Sequence, residues 1–170
     1  MYKRQGIASI AIGSGAGNTG QGSSCVAIGL NAGNTEQGSQ SIAMGFNAGL
    51  RKQKDYGTAI GYYAGVDNQG GGAISLGTYS GTTDQGEYAV AIGSGAGNTG
   101  QKNNAVALGV NAGTNTQGMN AIAIGNQAGF QNQPANSIIL NATGVAVNGS
   151  TANAFFVKPI RTDLTQTTPL

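Results

Sequence analysis

Residues 26–29 read Val-Ala-Ile-Gly, and this pattern returns every sixteen residues with no insertion or deletion between the copies. A second glycine lies four residues after the first, at Gly33, and a glutamine lies eight residues after the first, at Gln37. Such fixed spacing predicts a repeat architecture in which each unit stacks on the next one. Each unit is numbered here from its glutamine, position 1, to position 16. The first glycine, at position 9, stands at Gly13, Gly29, Gly45, Gly61, Gly77, Gly93, Gly109 and Gly125.

The apolar stretch of each unit predicts a short β-strand. A large apolar residue, an alanine and a second large apolar residue alternate, as in residues 122–124, Ile-Ala-Ile. This period of two is typical of a strand, and the stretch is too short for a helix. Glycines on both sides allow the chain to turn. The predicted fold is therefore all-β: a parallel β-solenoid, or β-roll, of 16-residue repeats.

The repeats divide the chain into two regions. Residues 5–148 contain eight full units and a degenerate ninth, in which Asn141 replaces the position-9 glycine and Pro134 follows the glutamine. Beyond this region the period is lost, and residues 154–157, Ala-Phe-Phe-Val, predict a strand of a new element. We expect residues 149–170 to form a C-terminal strand and a tail that lead into a further region.

The small number of large apolar residues in each unit predicts self-association. We expect the two large residues of the strand to point into the solenoid and the alanine between them to face neighbouring chains. Two large side chains per unit are too few to stabilise a lone chain against the entropy of ordering it. The predicted assembly is therefore a homo-oligomer. It would also bury the semi-apolar position 10, occupied by Leu30, Phe46, Tyr62 and Val110.

The glutamines at position 1 predict a ladder of side-chain hydrogen bonds. Equivalent residues of stacked rungs lie above one another, roughly 4.8 Å apart. Each carboxamide is then able to donate to one neighbour and to accept from the other. The nine glutamines are Gln5, Gln21, Gln37, Gln53, Gln69, Gln85, Gln101, Gln117 and Gln133.

The composition argues against several functional classes. A net charge of +2 with only 8% charged residues is too little for a phosphate-binding surface, so we expect no nucleic-acid partner. The chain has no histidine, and its closest carboxylate pair, Asp84 and Glu87, is best explained as solvated turn residues. We therefore expect no enzymatic activity, no catalytic residue, no cofactor and no metal. No apolar run approaches the ~18 residues of a membrane span, so we expect no membrane insertion.

Units three to six depart most from the plain pattern and contain five of the six tyrosines. Tyrosines on a rigid scaffold suit recognition because they offer a large contact area at a low entropy cost. The alternative is that these side chains fill the oligomer interface. The candidate receptor-binding residues are Arg51, Tyr56, Tyr62, Tyr63, Tyr79 and Tyr88.

Two motifs resemble known surface proteins. Residues 9–13, Ser-Ile-Ala-Ile-Gly, and residues 121–125, Ala-Ile-Ala-Ile-Gly, are each followed by Ala-Gly three residues on. They resemble the head repeats of trimeric autotransporter (YadA-like) adhesins, which are trimeric left-handed β-rolls with a slightly shorter repeat. The 16-residue form with Gln-Gly turns is more similar to fibre proteins of large DNA viruses and phages. There, such repeats precede a segment like residues 153–161.

The resemblance implies a function as well as a fold. It implies a homotrimeric rod on the virion surface, in an extracellular location, that presents or mediates binding to a host cell-surface receptor, with a glycan as one candidate. An alternative is the head of a bacterial trimeric autotransporter-type adhesin on the bacterial cell surface.

An ice-binding solenoid is a further alternative, because such proteins need one flat face of regularly spaced threonines. Threonines share position 15 in four units, and other residues interrupt the row. The threonines are Thr19, Thr35, Thr83 and Thr99, and the interruptions are Arg51, Asp67, Asn115 and Gln131.

Overall fold

The computed structural model describes residues 6–160, and all regular structure in that range is β-strand. Most strands have three residues, because a glycine or a left-handed residue turns the chain soon after each one. The strands are β1 (Ile10–Ile12), β2 (Val26–Ile28), β3 (Thr35–Gln37), β4 (Ile42–Met44), β5 (Arg51–Gln53), β6 (Thr58–Ile60), β7 (Asp67–Gln69), β8 (Ile74–Leu76), β9 (Thr83–Gln85), β10 (Val90–Ile92), β11 (Val106–Leu108), β12 (Ile122–Ile124), β13 (Ile138–Asn141) and β14 (Phe155–Lys158).

The strands form two parallel sheets on opposite sides of a coiled chain. The longer sheet has the order β1-β2-β4-β6-β8-β10-β11-β12-β13-β14, and the shorter sheet has the order β3-β5-β7-β9. Neighbouring strands are one repeat apart, so that Ile10 pairs with Val26 and Thr35 with Arg51. Each rung thus contains one segment of each sheet and two turns. The predicted parallel β-solenoid of 16-residue repeats is confirmed, and ten strands ~4.8 Å apart span roughly 45 Å.

The alanine in the middle of most strands of the longer sheet points into the solenoid, and the large residues on either side of it point away. Ala27 is fully buried, whereas Val26 and Ile28 are partly exposed. The prediction that the large residues fill the core is therefore wrong. The interior has no room for them, because glutamine side chains from the shorter sheet already occupy it. A Cβ added at Gly65, for example, would lie 3.0 Å from the carboxamide carbon of Gln69.

The buried glutamines join the two sheets and connect consecutive rungs. Gln85 Nε2 donates to Oε1 of Gln101 at 3.1 Å and to the carbonyl oxygen of Ile74 in the longer sheet at 2.9 Å. The predicted ladder is therefore present, although Gln5 lies outside the described residues. Amide-to-amide bonds join Gln21 to Gln37 and, in an unbroken series, Gln53, Gln69, Gln85, Gln101, Gln117 and Gln133.

Position 9 requires glycine for two reasons. At Gly29 the backbone φ is +127°, a region that side chains rarely adopt. A Cβ added there would also lie 2.6 Å from the carbonyl oxygen of Gly45 in the next rung. Successive backbones approach each other so closely here that position 9 has no space for a side chain.

The C-terminal strand belongs to the solenoid. β14 pairs in parallel with β13, after one residue more than the usual repeat. In these last rungs Ile139 and Phe156 replace the alanine of the strand, and both pack in one core cluster with Val147. Larger side chains therefore fill the interior at this end. The sheet continues past residue 148, where the repeat pattern placed a boundary, and residues 161–170 lie outside the described part of the chain.

Candidate functional surfaces

The outward side of the longer sheet carries two rows of mostly apolar side chains, which we call the outer apolar face. All of them are exposed or partly exposed; Ile12 is 59% exposed and Leu76 41%. The rows run along the whole sheet because every rung contributes one residue to each. Position 6 contributes Ile10, Val26, Ile42, Thr58, Ile74, Val90, Val106, Ile122 and Ile138, and position 8 contributes Ile12, Ile28, Met44, Ile60, Leu76, Ile92, Leu108, Ile124 and Leu140.

The outer apolar face is large and uncharged. Nine strands ~4.8 Å apart and about 10 Å wide give it a footprint on the order of 400 Å². Among its eighteen residues Thr58 is the one polar side chain, and none is charged. Contiguous apolar patches of this size are often functional, and protein–protein contact is one of their uses. This face is therefore a candidate interface.

The shorter sheet presents a polar surface on the opposite side of the rod. Arg51, one of the predicted receptor-binding residues, lies there, and its guanidinium is 3.1 Å from the carboxylate of Asp67. Both side chains are well exposed, so solvent screens their attraction. The ion pair interrupts the position-15 row, with Thr19 and Thr35 on one side and Thr83 and Thr99 on the other.

Four aromatic rings form a cluster in the turn that follows the strands of the longer sheet. This aromatic cluster consists of Phe46, Tyr62, Tyr63 and Tyr79. The rings of Tyr62 and Tyr63 meet edge-on at 4.6 Å between centroids, and those of Tyr63 and Tyr79 stack at 5.5 Å. Phe46 stacks on Tyr62 at 5.3 Å. Sequence reasoning placed Phe46 at the semi-apolar position 10 but did not recognise it as part of this site.

The phenol of Tyr62 is perturbed by the cluster. Desolvation raises its pKa above the ordinary 10.0, and the neighbouring phenols of Tyr79 and Tyr63 raise it further. A hydrogen bond with the Tyr79 side chain acts in the same direction. The cluster therefore disfavours ionisation of this phenol, although the Tyr62 side chain is 47% exposed.

Tyr56 and Tyr88 lie elsewhere, in the turn that leads back to the longer sheet. The five predicted tyrosines therefore do not lie in one place. They divide between the two turns of the rung, on opposite edges of the roll, and Arg51 lies on the shorter sheet between those edges. The sequence showed that these residues come from neighbouring units, but not which side of the rod each one faces.

Four of the five tyrosines adopt a left-handed backbone conformation. Their φ values are 61° at Tyr56, 55° at Tyr63, 56° at Tyr79 and 55° at Tyr88. Asparagine tolerates this region, whereas a bulky residue there carries a strain on the order of 1 kcal/mol. Folding alone therefore favours asparagine over tyrosine at these positions, although Ala8, Ser24, Gln40 and Gln127 also adopt this conformation there. In other rungs asparagine occupies the same two positions: Asn31, Asn47 and Asn111 at position 11, and Asn104, Asn120 and Asn136 at position 4. This pattern was not identified from the sequence.

Residues 6–160 include no group of three or more histidine, cysteine, aspartate or glutamate side chains placed to hold a metal ion. Nor does this part of the chain contain a helix with the length and hydropathy needed to cross a membrane. No protein-family model, curated protein or solved structure matches the chain. The candidate functional surfaces are the outer apolar face and the two turns that carry the tyrosines.

Proposed function

We propose that this chain is a structural module of a virion fibre: a non-enzymatic, homotrimeric rod that attaches the particle to a host cell-surface receptor. The observation that carries the proposal is the outer apolar face. It is continuous over nine strands, lacks charge and lies opposite a polar sheet, so one side of the rod suits packing against copies of itself. The number of copies comes from the resemblance to trimeric fibre repeats.

Self-association along this face leaves both turns and the polar sheet available for attachment. In a closed rotational assembly each copy uses the same surfaces, so the free surfaces repeat around the axis. The aromatic cluster borders the face through Phe46 and Tyr62, while Tyr63 and Tyr79 extend from the next position of the turn. We assign the first pair to the border of the interface and the second to receptor contact.

The assembly is tested by measuring mass in solution. Multi-angle light scattering and sedimentation velocity on the full chain should give three times the chain mass, over a tenfold range of concentration. Leu76→Glu places a charge on the outer apolar face, where the side chain is 41% exposed in the single chain and so tolerates charge without unfolding it. This variant should dissociate with its far-ultraviolet circular dichroism unchanged.

Thr83→Glu is the matched control, because Thr83 lies on the polar sheet at a similar height along the rod. It should leave the trimer intact. A wild-type chain that stays monomeric over the whole concentration range would refute the assembly. Equal dissociation of both variants would show that the outer apolar face is not the interface.

Attachment is tested separately, with the trimer as the reference state. Tyr63→Asn combined with Tyr79→Asn removes two rings of the cluster and keeps residues that the same position already holds in other rungs, such as Asn111. The variant trimer should lose binding to host cells. Unchanged binding by an intact variant trimer would exclude the aromatic cluster as the receptor site.

The alternative to a virion fibre is the head of a bacterial adhesin. Both use a self-associating rod, and both present side chains on its free surfaces. A membrane-anchoring segment encoded in the same gene would assign the chain to a bacterial cell surface instead.

A further inference from the structure

A second aromatic site, separate from the aromatic cluster, lies in the turn that leads back to the longer sheet. Tyr56, Gly72 and Tyr88 occupy position 4 of three consecutive rungs. A groove of about 370 Å³ opens between the two tyrosines, over the bare backbone of Gly71 and Gly72. No other described rung has glycine at both of these positions. The groove therefore exists because one rung lacks the side chains that would fill it.

The walls of this Tyr56–Tyr88 groove are held rigidly by backbone hydrogen bonds. The amide of Tyr56 donates to the carbonyl oxygen of Ser39 at 3.0 Å, and that of Tyr88 donates to Gly71 at 3.0 Å. The two side chains are nevertheless 65% and 68% exposed, and neither ring stacks on another in the described part of the chain. Both combine backbone strain with little burial, so the folded chain gains little from either ring.

Charged groups of both signs border the same groove. The ammonium of Lys54 is 3.7 Å from Glu87 Oε1, and each side chain is about half exposed, so this ion pair is weak and can exchange its partners for a ligand. Asp55 adds a second carboxylate, fixed by the Ser39 amide that donates to its Oδ1 at 2.8 Å. The rim thus offers one donor group and two acceptor groups, with a net negative charge.

The dimensions and chemistry fit a saturated six-membered ring. Two rungs separate the backbones of Tyr56 and Tyr88 by roughly 9.5 Å. The Tyr88 ring leans over Gly72 within this gap, so one ligand ring has room across the tyrosine faces above Gly71. A pyranose has an apolar C–H surface to lie on an aromatic ring and hydroxyls that both donate and accept at its edge. An aromatic peptide side chain would instead leave the charged rim desolvated and unpaired. Two carboxylates against one ammonium disfavour an anionic sugar.

We propose that the Tyr56–Tyr88 groove binds a neutral pyranose unit of a glycan. The sugar ring lies against the tyrosines over Gly71 and Gly72, and its hydroxyls bond to Lys54 and Glu87. The biological meaning of this site rests on the attachment role proposed above, but its binding chemistry is testable without it.

The test uses the full chain and saturation-transfer nuclear magnetic resonance with the methyl glycosides of galactose, glucose and mannose. At least one should bind with a Kd on the order of 1 mM, as expected for a single ring in an open groove, and N-acetylneuraminic acid should not bind. Tyr88→Asn and Gly72→Asn should each weaken binding at least tenfold. Asparagine stands at this left-handed position in other rungs, and a Cβ at Gly72 would lie 2.9 Å from the Tyr88 ring, so it fills the groove.

Gly100→Asn is the matched control, since it makes the same substitution as Gly72→Asn at a left-handed glycine outside the groove and should leave sugar binding unchanged. Absence of binding by all three glycosides would overturn the proposal. Equal affinity of the Gly72→Asn variant would do so as well, and so would preferential binding of N-acetyl-tyrosine amide. Sugar binding that persists in the dissociated Leu76→Glu variant would separate this site from the assembly. A trimer that attaches to cells without binding glycosides would leave the fibre proposal standing and remove this one.

Discussion

The side-chain amide of Gln53 donates a hydrogen bond to Oε1 of Gln69 at 3.0 Å, while its own Oε1 is buried without a partner. The preceding glutamine, Gln37, donates to the carbonyl oxygen of Val26 at 3.1 Å instead of to Gln53. The glutamine ladder therefore has an interruption at this one rung of the described chain. A buried unpaired oxygen is unfavourable, so Gln53 marks a weak point in an otherwise continuous network.

Removing a glutamine inside the unbroken series should destabilise the rod more than removing one beside the interruption. Gln101→Ala deletes the bonds that Gln101 donates to Val90, Ala105 and Gln117, frees the Gln85 donor and leaves a cavity. We expect it to lower the free energy of unfolding by about 2–4 kcal/mol. Gln37→Ala deletes its bond to Val26 and frees only the Gln21 donor, so its effect should be smaller. Urea unfolding at one fixed protein concentration measures both, and equal losses would argue against a cooperative ladder.

The position-9 glycines should tolerate no side chain. Gly61 has φ +133°, and a Cβ there would lie 2.5 Å from the carbonyl oxygen of Gly77. Gly61→Ala should therefore lower the free energy of unfolding by at least about 3 kcal/mol or prevent folding. Gly100→Asn is the control, because asparagine tolerates the φ of +68° at Gly100 and a Cβ there would lie 3.7 Å from its nearest neighbour. Thermal unfolding followed by circular dichroism should show a loss for the first variant alone.

Exchanging a left-handed tyrosine for asparagine should stabilise the rod where the ring has no partner. Tyr88→Asn relieves backbone strain and places an amide next to Asn104, which already donates to Asn120 at 3.2 Å. We expect a gain of about 1 kcal/mol in the free energy of unfolding. Tyr63→Asn relieves the same strain but loses three ring contacts, so it should cost about 1–2 kcal/mol. A loss for Tyr88→Asn would mean that its ring supports the fold.

The raised pKa of Tyr62 predicts how stability changes at alkaline pH. The folded state favours the neutral phenol, so this contribution is complete below the ordinary pKa of 10.0 and is lost as pH rises through the raised value. Tyr62→Phe should therefore weaken the fall in melting temperature above that pH. The phenolate absorbance that disappears in the variant should titrate above 10.0. Titration of that signal at or below 10.0 would contradict the desolvation of this group.

The sequence predicts the solenoid fold better than it predicts which side chains of each strand face the interior. Strict spacing decides which residues stack, and both the parallel register and the glutamine ladder follow from it. The alternation in residues 26–28 equally allows alanine or the large residues to face inwards. What decides is the volume of Gln37 and its equivalents between the sheets, which leaves space for Ala27 and not for Val26. That competition for space becomes visible only in three dimensions.

The sequence predicted which residues are candidates for the sites but not where on the rod they lie. Tyr56 and Tyr63 are close in sequence, yet a strand of the longer sheet separates the turns that hold them. Only the positions of the two turns within a rung show which tyrosines share a site. The groove was missed altogether, because Gly71 and Gly72 resemble ordinary turn glycines until Tyr56 and Tyr88 lie on either side of them.

The uninterrupted 16-residue register gives every surface side chain a coordinate. Its position number sets the direction in which it points around the axis, and its rung sets its height, in steps of roughly 4.8 Å. The groove, on rungs four to six, and the aromatic cluster, on rungs three to five, thus overlap in height and differ mainly in azimuth. An insertion of sixteen residues, or of a multiple of sixteen, would move a site along the rod and keep every glutamine in the interior, whereas a length that is not such a multiple would remove a glutamine from it. Such a rod can lengthen its reach while keeping its binding groups in phase.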